Sequence, residues 1–266
     1  MSVYTEGNIL ASVKNINHSF ENFSFFGKRE KTHVLKNINF DMEHGEALGL
    51  LGKSGSGKST LAKIMIGLLQ PSAGIVEFGG KPLDLSNLSK KREFYKQVQI
   101  VFQDSLSAVN PRLTVKEIIE EPLLYLTALN RTERLERIQN LMKRLEIAED
   151  FLEKKAVLLS GGQLQRVAVA RAMAVNPKLI ILDEALSSLD TPLQSGILEL
   201  LKRLKGEVSF LFITHDIRLV KLFCNRVILL ENGEIAETAH AKAEFKSGIG
   251  RELQGAVLPP FPVYND

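Results

Sequence analysis

Short apolar runs separated by turn-forming residues dominate the first hundred positions, and a different period takes over after them. Leu10 to Phe20, Val34 to Met42 (with Leu35, Ile38 and Phe40 apolar), Ala47 to Leu51, Ile75 to Phe78 and Val98 to Phe102 read as strands. Gly27 to Lys31 reads as a polar loop, and Gln70 to Gly74 and Gly79-Gly80 as breaks. Leu61 to Leu69 has helical character, and Lys90 to Lys96 predicts a short exposed helix. Between Asp104 and Pro177 the strand-like runs vanish. Helical periodicity marks Val115 to Leu126 and Arg131 to Leu145, the second placing Leu135, Ile138, Leu141, Met142 and Leu145 on one face. Leu179 to Leu182 is four apolar residues in a row, as expected of a parallel strand buried on both faces. A helix over Pro192 to Leu204, a strand over Val208 to Ile213 and a helix over Ile217 to Phe223 follow. Arg226 to Leu230, Asn232-Gly233 and Glu234 to Thr238 predict a hairpin. Beyond Ala239 periodicity fades, and Pro259-Pro260-Phe261-Pro262 is expected to be extended.

The strand Ala47 to Leu51 and the helix after it flank Gly52-Lys53-Ser54-Gly55-Ser56-Gly57-Lys58-Ser59-Thr60, a phosphate-binding P-loop. Glycines let the backbone amides curl around a polyphosphate. Lys58 is placed to reach the terminal phosphates, the Ser59 hydroxyl to ligate Mg²⁺, and the helix start faces the anion with its free N–H groups. Asp183 ends a buried strand and is suited to hold Mg²⁺ through water, with Glu184 beside it to orient or deprotonate an attacking water. Gln103 and His215 each end another strand, the first suited to a metal-bound water and the γ-phosphate, the second to the γ-phosphate alone. A second helix start, Leu159-Ser160-Gly161-Gly162-Gln163, has an N-cap serine and two glycines. One triphosphate already held by the P-loop scarcely needs it, so it is expected to cap a nucleotide on another subunit.

These motifs, in this order over almost the whole chain, resemble the ATP-binding-cassette (ABC) ATPases. By that resemblance Gly52 to Thr60 is the Walker A motif, Leu179 to Glu184 Walker B and Gln103 the Q-loop residue. Leu159 to Gln163 is then the signature motif, Ser187 to Asp190 the D-loop and His215 the switch histidine. The implied fold is α/β: a P-loop NTPase core with an antiparallel β subdomain and an inserted helical subdomain. The core is assigned to residues 1–103 and 177–240, the helical subdomain to 104–176 and a tail to 241–266, one cassette spanning about 9–248. The resemblance further implies ATP and Mg²⁺ as ligands, Glu184 as catalytic base, and an aromatic stacked on adenine. Phe20 is assigned that place, with Phe23 and Phe25 as alternatives. Its implied partners are a second cassette subunit (a paralogue, or an identical copy), two membrane permease subunits and a solute-binding protein. Asn110-Pro111-Arg112 after the Q-loop and the ending Ala256 to Val263 are similar to the peptide/nickel importer group, and within it to the nickel-importer ATPases. The alternative solute is a di- or oligopeptide.

Composition narrows the classes. Of 266 residues 44% are hydrophobic and 24% charged, as in an ordinary soluble protein. A net charge of +3 does not argue for nucleic acid. Nor is there a long coiled coil, zinc module or second cassette of the kind that nucleic-acid-associated cassettes carry. A purely regulatory cassette is disfavoured by the intact Lys58, Asp183, Glu184 and His215. The single cysteine, Cys224, excludes a disulfide framework and reads as a buried apolar residue. The five histidines show no paired metal-ligand spacing, so nickel rests on the resemblance alone. No signal peptide or membrane span is legible, and the chain is expected at the cytoplasmic face of the inner membrane.

Overall fold

The computed structural model describes residues 8–23, 29–104 and 108–256. Strands β1 (Ile9–Phe23) and β2 (Arg29–Glu43) form a long hairpin, followed by β3 (Ala47–Leu51) and α1 (Lys58–Met65). Next come β4 (Ala73–Phe78), β5 (Lys81–Pro82), α2 (Leu88–Gln97) and β6 (Val98–Phe102). Helices α3 (Val115–Leu126), α4 (Arg131–Arg144) and α5 (Gly161–Met173) make a separate helical layer. The chain then returns through β7 (Leu179–Asp183), α6 (Thr191–Arg203), β8 (Ser209–Thr214) and α7 (Ile217–Phe223). It ends in β9 (Arg226–Glu231), β10 (Glu234–His240) and α8 (Gly248–Gly255).

Two sheets result. β2-β1-β4-β5 is antiparallel, and β10-β9-β3-β8-β7-β6 is parallel except for its edge strand β10. Strand alternation divides the central sheet's side chains between two cores. Ile180, Leu182, Phe210, Phe212, Val227 and Leu229 face the helical layer. Their neighbours Leu179, Ile181, Leu211, Ile213, Ile228 and Leu230 face α1 and the antiparallel sheet. Each fully buried Leu, Ile or Phe contributes about 1.5–3 kcal/mol, so a polar replacement at any of these positions is costly.

The β1–β2 register shifts four times, and the last three shifts lie where the hairpin passes the P-loop. Asn15 on β1 and Asn37 on β2 take left-handed backbone (φ 52° and 49°), a conformation in which asparagine is less strained than most residues. Asn39 Oδ1 accepts from the Asn15 amide at 2.8 Å, and Asn17 Oδ1 accepts from the Asn37 amide at 3.0 Å, so each bulged N–H keeps a partner. In the last, His18 pairs with Leu35 and Ser19 with His33, leaving Val34 as the extra residue on β2.

Two expectations need correcting. Arg29 to Lys31 are not loop but the start of β2, paired with Phe23, Asn22 and Glu21, because a long hairpin overrides their polar composition. The chain beyond Ala239 is not without structure either. β10 runs to His240, and α8 follows, with Ser247 as its N-cap and Ile249 buried. Eight residues were too few to show a period. The expected extended segment at Pro259 to Pro262 lies outside the described residues.

Candidate nucleotide site

β3, β8, β7 and β6 lie side by side and parallel, so the residues leaving their carboxyl ends share one edge of the sheet. That edge collects the P-loop after β3, His215 after β8, Asp183 and Glu184 at the end of β7, and Gln103 after β6.

Close packing dictates two of the P-loop glycines. A Cβ on Gly52 would lie 2.3 Å from the Leu230 carbonyl oxygen. One on Gly57, whose φ is +105°, would lie 2.7 Å from Leu35 Cδ2 and 2.9 Å from the Val34 oxygen. Lys58 is 4% exposed, and its Nζ donates to the carbonyls of Gly52 (2.8 Å) and Lys53 (2.9 Å), with Glu184 Oε1 at 4.0 Å. Burial pulls its ammonium below lysine's ordinary range, while Glu184 and then Asp183 oppose that shift. Ser59 Oγ donates to Asp183 Oδ1 at 3.0 Å. Burial pushes the Asp183 carboxyl above its ordinary range, and the Ser59 bond works against that. Ser56 Oγ is buried and has no hydrogen-bond partner among the described residues.

Glu184 stands at φ +49°, a left-handed backbone that costs a β-carbon-bearing residue on the order of 1–3 kcal/mol. Its amide donates to the Ile213 carbonyl at 2.9 Å, and its Oε1 lies 3.7 Å from His215 Nδ1. The strained turn aims the carboxylate between Lys58 and His215.

A cavity of about 390 Å³ opens over this edge, bounded by Phe20 and Val34 on the hairpin, by Ser54, Gly55 and Gly57 to Thr60, and by Gln103 and Glu184. Gly52 and Ser56 are buried beside it and Lys53 is exposed, its ammonium paired with Glu252 at 2.8 Å, while Asp183 and His215 join it through Ser59 and Glu184. A hollow of about 440 Å³ between the end of α1 and the β4–β5 hairpin is larger, but its lining around Ile64, Leu69 and Leu83 is chiefly apolar. The smaller cavity holds the chemistry. Of the candidate aromatics, Phe20 lies at its lip, 41% exposed. Phe25 and the side chain of Phe23 lie outside the described residues. Val34 was not foreseen, since only the bulge turns it inward.

The helix starts separate into two kinds. α2 to α8 each begin with a side chain accepting from a backbone amide: Asn87, Thr114, Asn130, Ser160, Asp190, Asp216 and Ser247. Among the described α-helices α1 alone lacks such a cap, with Gly57 at the position and no acid in its first turn. Its first amides have no side-chain acceptor and point where an anion fits. The buried Ser56 hydroxyl, the glycine cradle and Lys58 complete a donor set that fits a polyphosphate. Among the described residues no group of three or more His, Cys, Asp or Glu forms a metal cluster. The Ser59 hydroxyl, the Asp183 carboxylate and the Gln103 amide are nonetheless oxygen donors of the kind Mg²⁺ takes when phosphate and water supply the rest.

Ser160, Gly161, Gly162 and Gln163 are not brought into this cavity. They open α5 in the helical layer, where Ser160 Oγ accepts from the Gln163 amide and Gln163 Oε1 accepts from the Ser160 amide at 2.9 Å. Gly162 also has a packing duty that its motif did not reveal. A Cβ there would lie 2.9 Å from Leu193 Cδ2 on α6.

A P-loop beside a carboxylate-ended parallel strand, under an antiparallel hairpin and with a helical insert, defines an ATPase cassette. The ABC transporter family matches residues 35–187, and the chain belongs to that family. It is 48% identical over 258 residues, 96% of each chain, to the nickel import ATP-binding protein NikE of Shigella dysenteriae serotype 1. It is 46% identical, with the same coverage, to the protein of that name in Escherichia coli K12. Among solved structures, a dimer of the ATP-binding cassette MJ0796 in a post-hydrolysis state bound to ADP and Pi matches with a TM-score of 0.77 and 32% identity. It covers 88% of this chain and all of that one. The cbiO1 subunit of the Clostridium perfringens transporter complex cbiONQ matches with TM-score 0.77 and 32% identity, over 88% and 90% of the two chains.

Proposed function

We propose that this chain is the ATP-hydrolysing subunit of an ABC importer whose solute is nickel ion. The observation that carries the ATPase reading is the uncapped start of α1 with buried Lys58 beneath it, facing Glu184 across 4.0 Å. The nickel reading is supported by the relatives' names at 46–48% identity over nearly the full length of each chain.

The P-loop amides and Lys58 bind the β- and γ-phosphates, Lys58 exchanging its two carbonyl partners for phosphate oxygens. Phe20 stacks on adenine at the lip. Ser59, Asp183 and Gln103 would hold Mg²⁺, which would neutralise charge developing on the transferred phosphoryl group. Glu184 takes a proton from the attacking water, which forms a bond to the γ-phosphorus as the bond to the β–γ bridging oxygen breaks, leaving ADP and phosphate. His215, 3.7 Å from Glu184, donates to the γ-phosphate and marks its presence to β8. Ser160, Gly161, Gly162 and Gln163 cap the nucleotide bound by a partner cassette, so that two subunits close head to tail on two ATP molecules. Closure performs work on the permease pair because ATP binds the closed state more tightly than the open one. No helix among the described residues is long and apolar enough to cross a membrane. The subunit docks on its permeases at the cytoplasmic face, a reading supported by its likeness to importer ATPases.

The test is uptake of radioactive nickel, against uptake of a labelled dipeptide, in cells lacking this chain and complemented with it or with Glu184→Gln. Wild type is expected to restore nickel uptake and Glu184→Gln not, while the variant still binds ATP. Restored dipeptide uptake with no nickel uptake overturns the solute. Normal ATP turnover by Glu184→Gln overturns the role of that carboxylate.

A further inference from the structure

One buried polar ring beside the nucleotide cavity has no part in the mechanism above. His18 lies on β1 two residues before Phe20 and is 6% exposed. Neither of its ring nitrogens has a hydrogen-bond partner among the described residues. A buried imidazole ordinarily finds partners for them. What His18 contacts instead is Phe20, with ring centroids 4.7 Å apart and planes at 82°. In that geometry the electropositive rim of one ring meets the π face of the other, which fixes their mutual orientation as well as their separation.

Phe20 has need of such a hold. It stands 41% exposed at the open side of the cavity, where few neighbours limit its rotamers. The strand register brings the two rings together. The bulge at Val34 falls between the Leu35 and His33 partners of His18 and Ser19, and bends the hairpin where His18 passes under Phe20. Leu35, the cross-strand partner of His18, also touches the P-loop, its Cδ2 lying 2.7 Å from where a Gly57 Cβ would be. His18 thus lies across the hairpin from the residue that packs on the P-loop and beside the ring assigned to the base.

We propose that His18 is a positioning residue for the nucleobase. Its ring holds Phe20 in the orientation on which adenine stacks, and it acts on the nucleotide only through Phe20. The inference rests on Phe20 being the stacking aromatic. The part of His18 that the proposal uses is the ring face and edge that meet Phe20.

The experiment is steady-state ATPase kinetics of the assembled complex, with inorganic tripolyphosphate as a competing ligand that has phosphates but no base. His18→Leu, similar in bulk but without a ring, is expected to raise KM for MgATP about two- to tenfold. Its kcat and its inhibition by tripolyphosphate are expected to stay as in wild type. His18→Phe is expected to restore the wild-type KM. An unchanged KM in His18→Leu overturns the inference, as does an equal loss for ATP and tripolyphosphate. If His18→Leu does not fold, His18→Phe decides, since a KM raised as far as that of Phe20→Ala overturns the role of the ring. Phe20→Ala separates the two levels. If it leaves KM unchanged, the stacking assignment falls and this inference with it. If it raises KM while His18→Leu does not, only the role of His18 falls.

Discussion

The two glycine-bearing helix starts of this chain, α1 after the P-loop and α5 at Ser160, look alike in sequence and differ in how their amides are satisfied. At α1 no side chain caps the first turn, and Lys58 is buried beneath it. At α5 the Ser160 hydroxyl and the Gln163 amide close a reciprocal capping box. An uncapped start leaves its first amides open to water or to an anion, whereas a capped one has already given them a partner. Under the proposed function the first owns a nucleotide and the second meets one intermittently. That difference suits the head-to-tail pair of cassettes proposed above, in which each α5 would be without a nucleotide whenever the dimer opens.

The contrast can be broken most severely at Lys58. Lys58→Ala is expected to weaken ATP binding by the isolated chain and to lower turnover about 10²–10³-fold, read by nucleotide titration and phosphate release. Retained affinity would mean that the uncapped start is not the phosphate site. Ser160→Ala should behave otherwise. It is expected to leave ATP binding by the isolated subunit intact, cut turnover only in the assembled complex, and cost about 1 kcal/mol of stability from the lost cap. Weakened binding in the isolated chain would erase the distinction between the two helices.

Gly233→Ala probes how the lip of the first site is held. Gly233 stands at φ +81°, a Cβ on it would lie 2.3 Å from the Val34 oxygen, and its own carbonyl accepts from the Lys36 amide at 2.8 Å. Val34 is thereby squeezed between Gly233 and the P-loop's Gly57. The substitution is expected to destabilise by more than about 1 kcal/mol and to raise KM for ATP, measured by thermal melting and kinetics. A wild-type melting curve would show that the hairpin turn does not brace the lip.

The smallest effect is expected far from both helix starts. Glu237 accepts from the amides of Lys246 and Ser247 ahead of α8. Partial burial alone would raise its carboxyl, but those amides outweigh it and hold it below the ordinary glutamate range. A depressed carboxyl adds stability that is complete above the ordinary glutamate pKa and is lost as pH falls through its own lowered value. Glu237→Gln should melt slightly below wild type at neutral pH, with the gap closing in acid. A gap that persists in acid would assign the effect to packing.

The central sheet and its edge were legible because their signals are local. Four apolar residues ending in Asp183-Glu184, and the spacing of Gly52 to Ser59, each say what they are within a few positions. Long helices were equally plain. Val115 to Leu126 shows three turns of period, and its capping box, Thr114 with Glu117, was there to be read. What stayed hidden depends on register and on packing across long sequence distances. Val34 enters the cavity through a bulge that no hydrophobic pattern encodes. Gly162 is small for Leu193, and Gly233 answers to Val34. The strain at Glu184 falls in the turn leaving β7 for α6, where its amide bonds to β8, a strand it meets only in the folded sheet.

Lys58 resting on the carbonyls of Gly52 and Lys53 has a consequence for the cycle as a whole. A loop whose lysine already has hosts within itself keeps its shape between turnovers, so arrival of the next ATP is a trade of partners and not an act of ordering. Departure of ADP hands the ammonium back to those same oxygens, and the machine resets without having come apart.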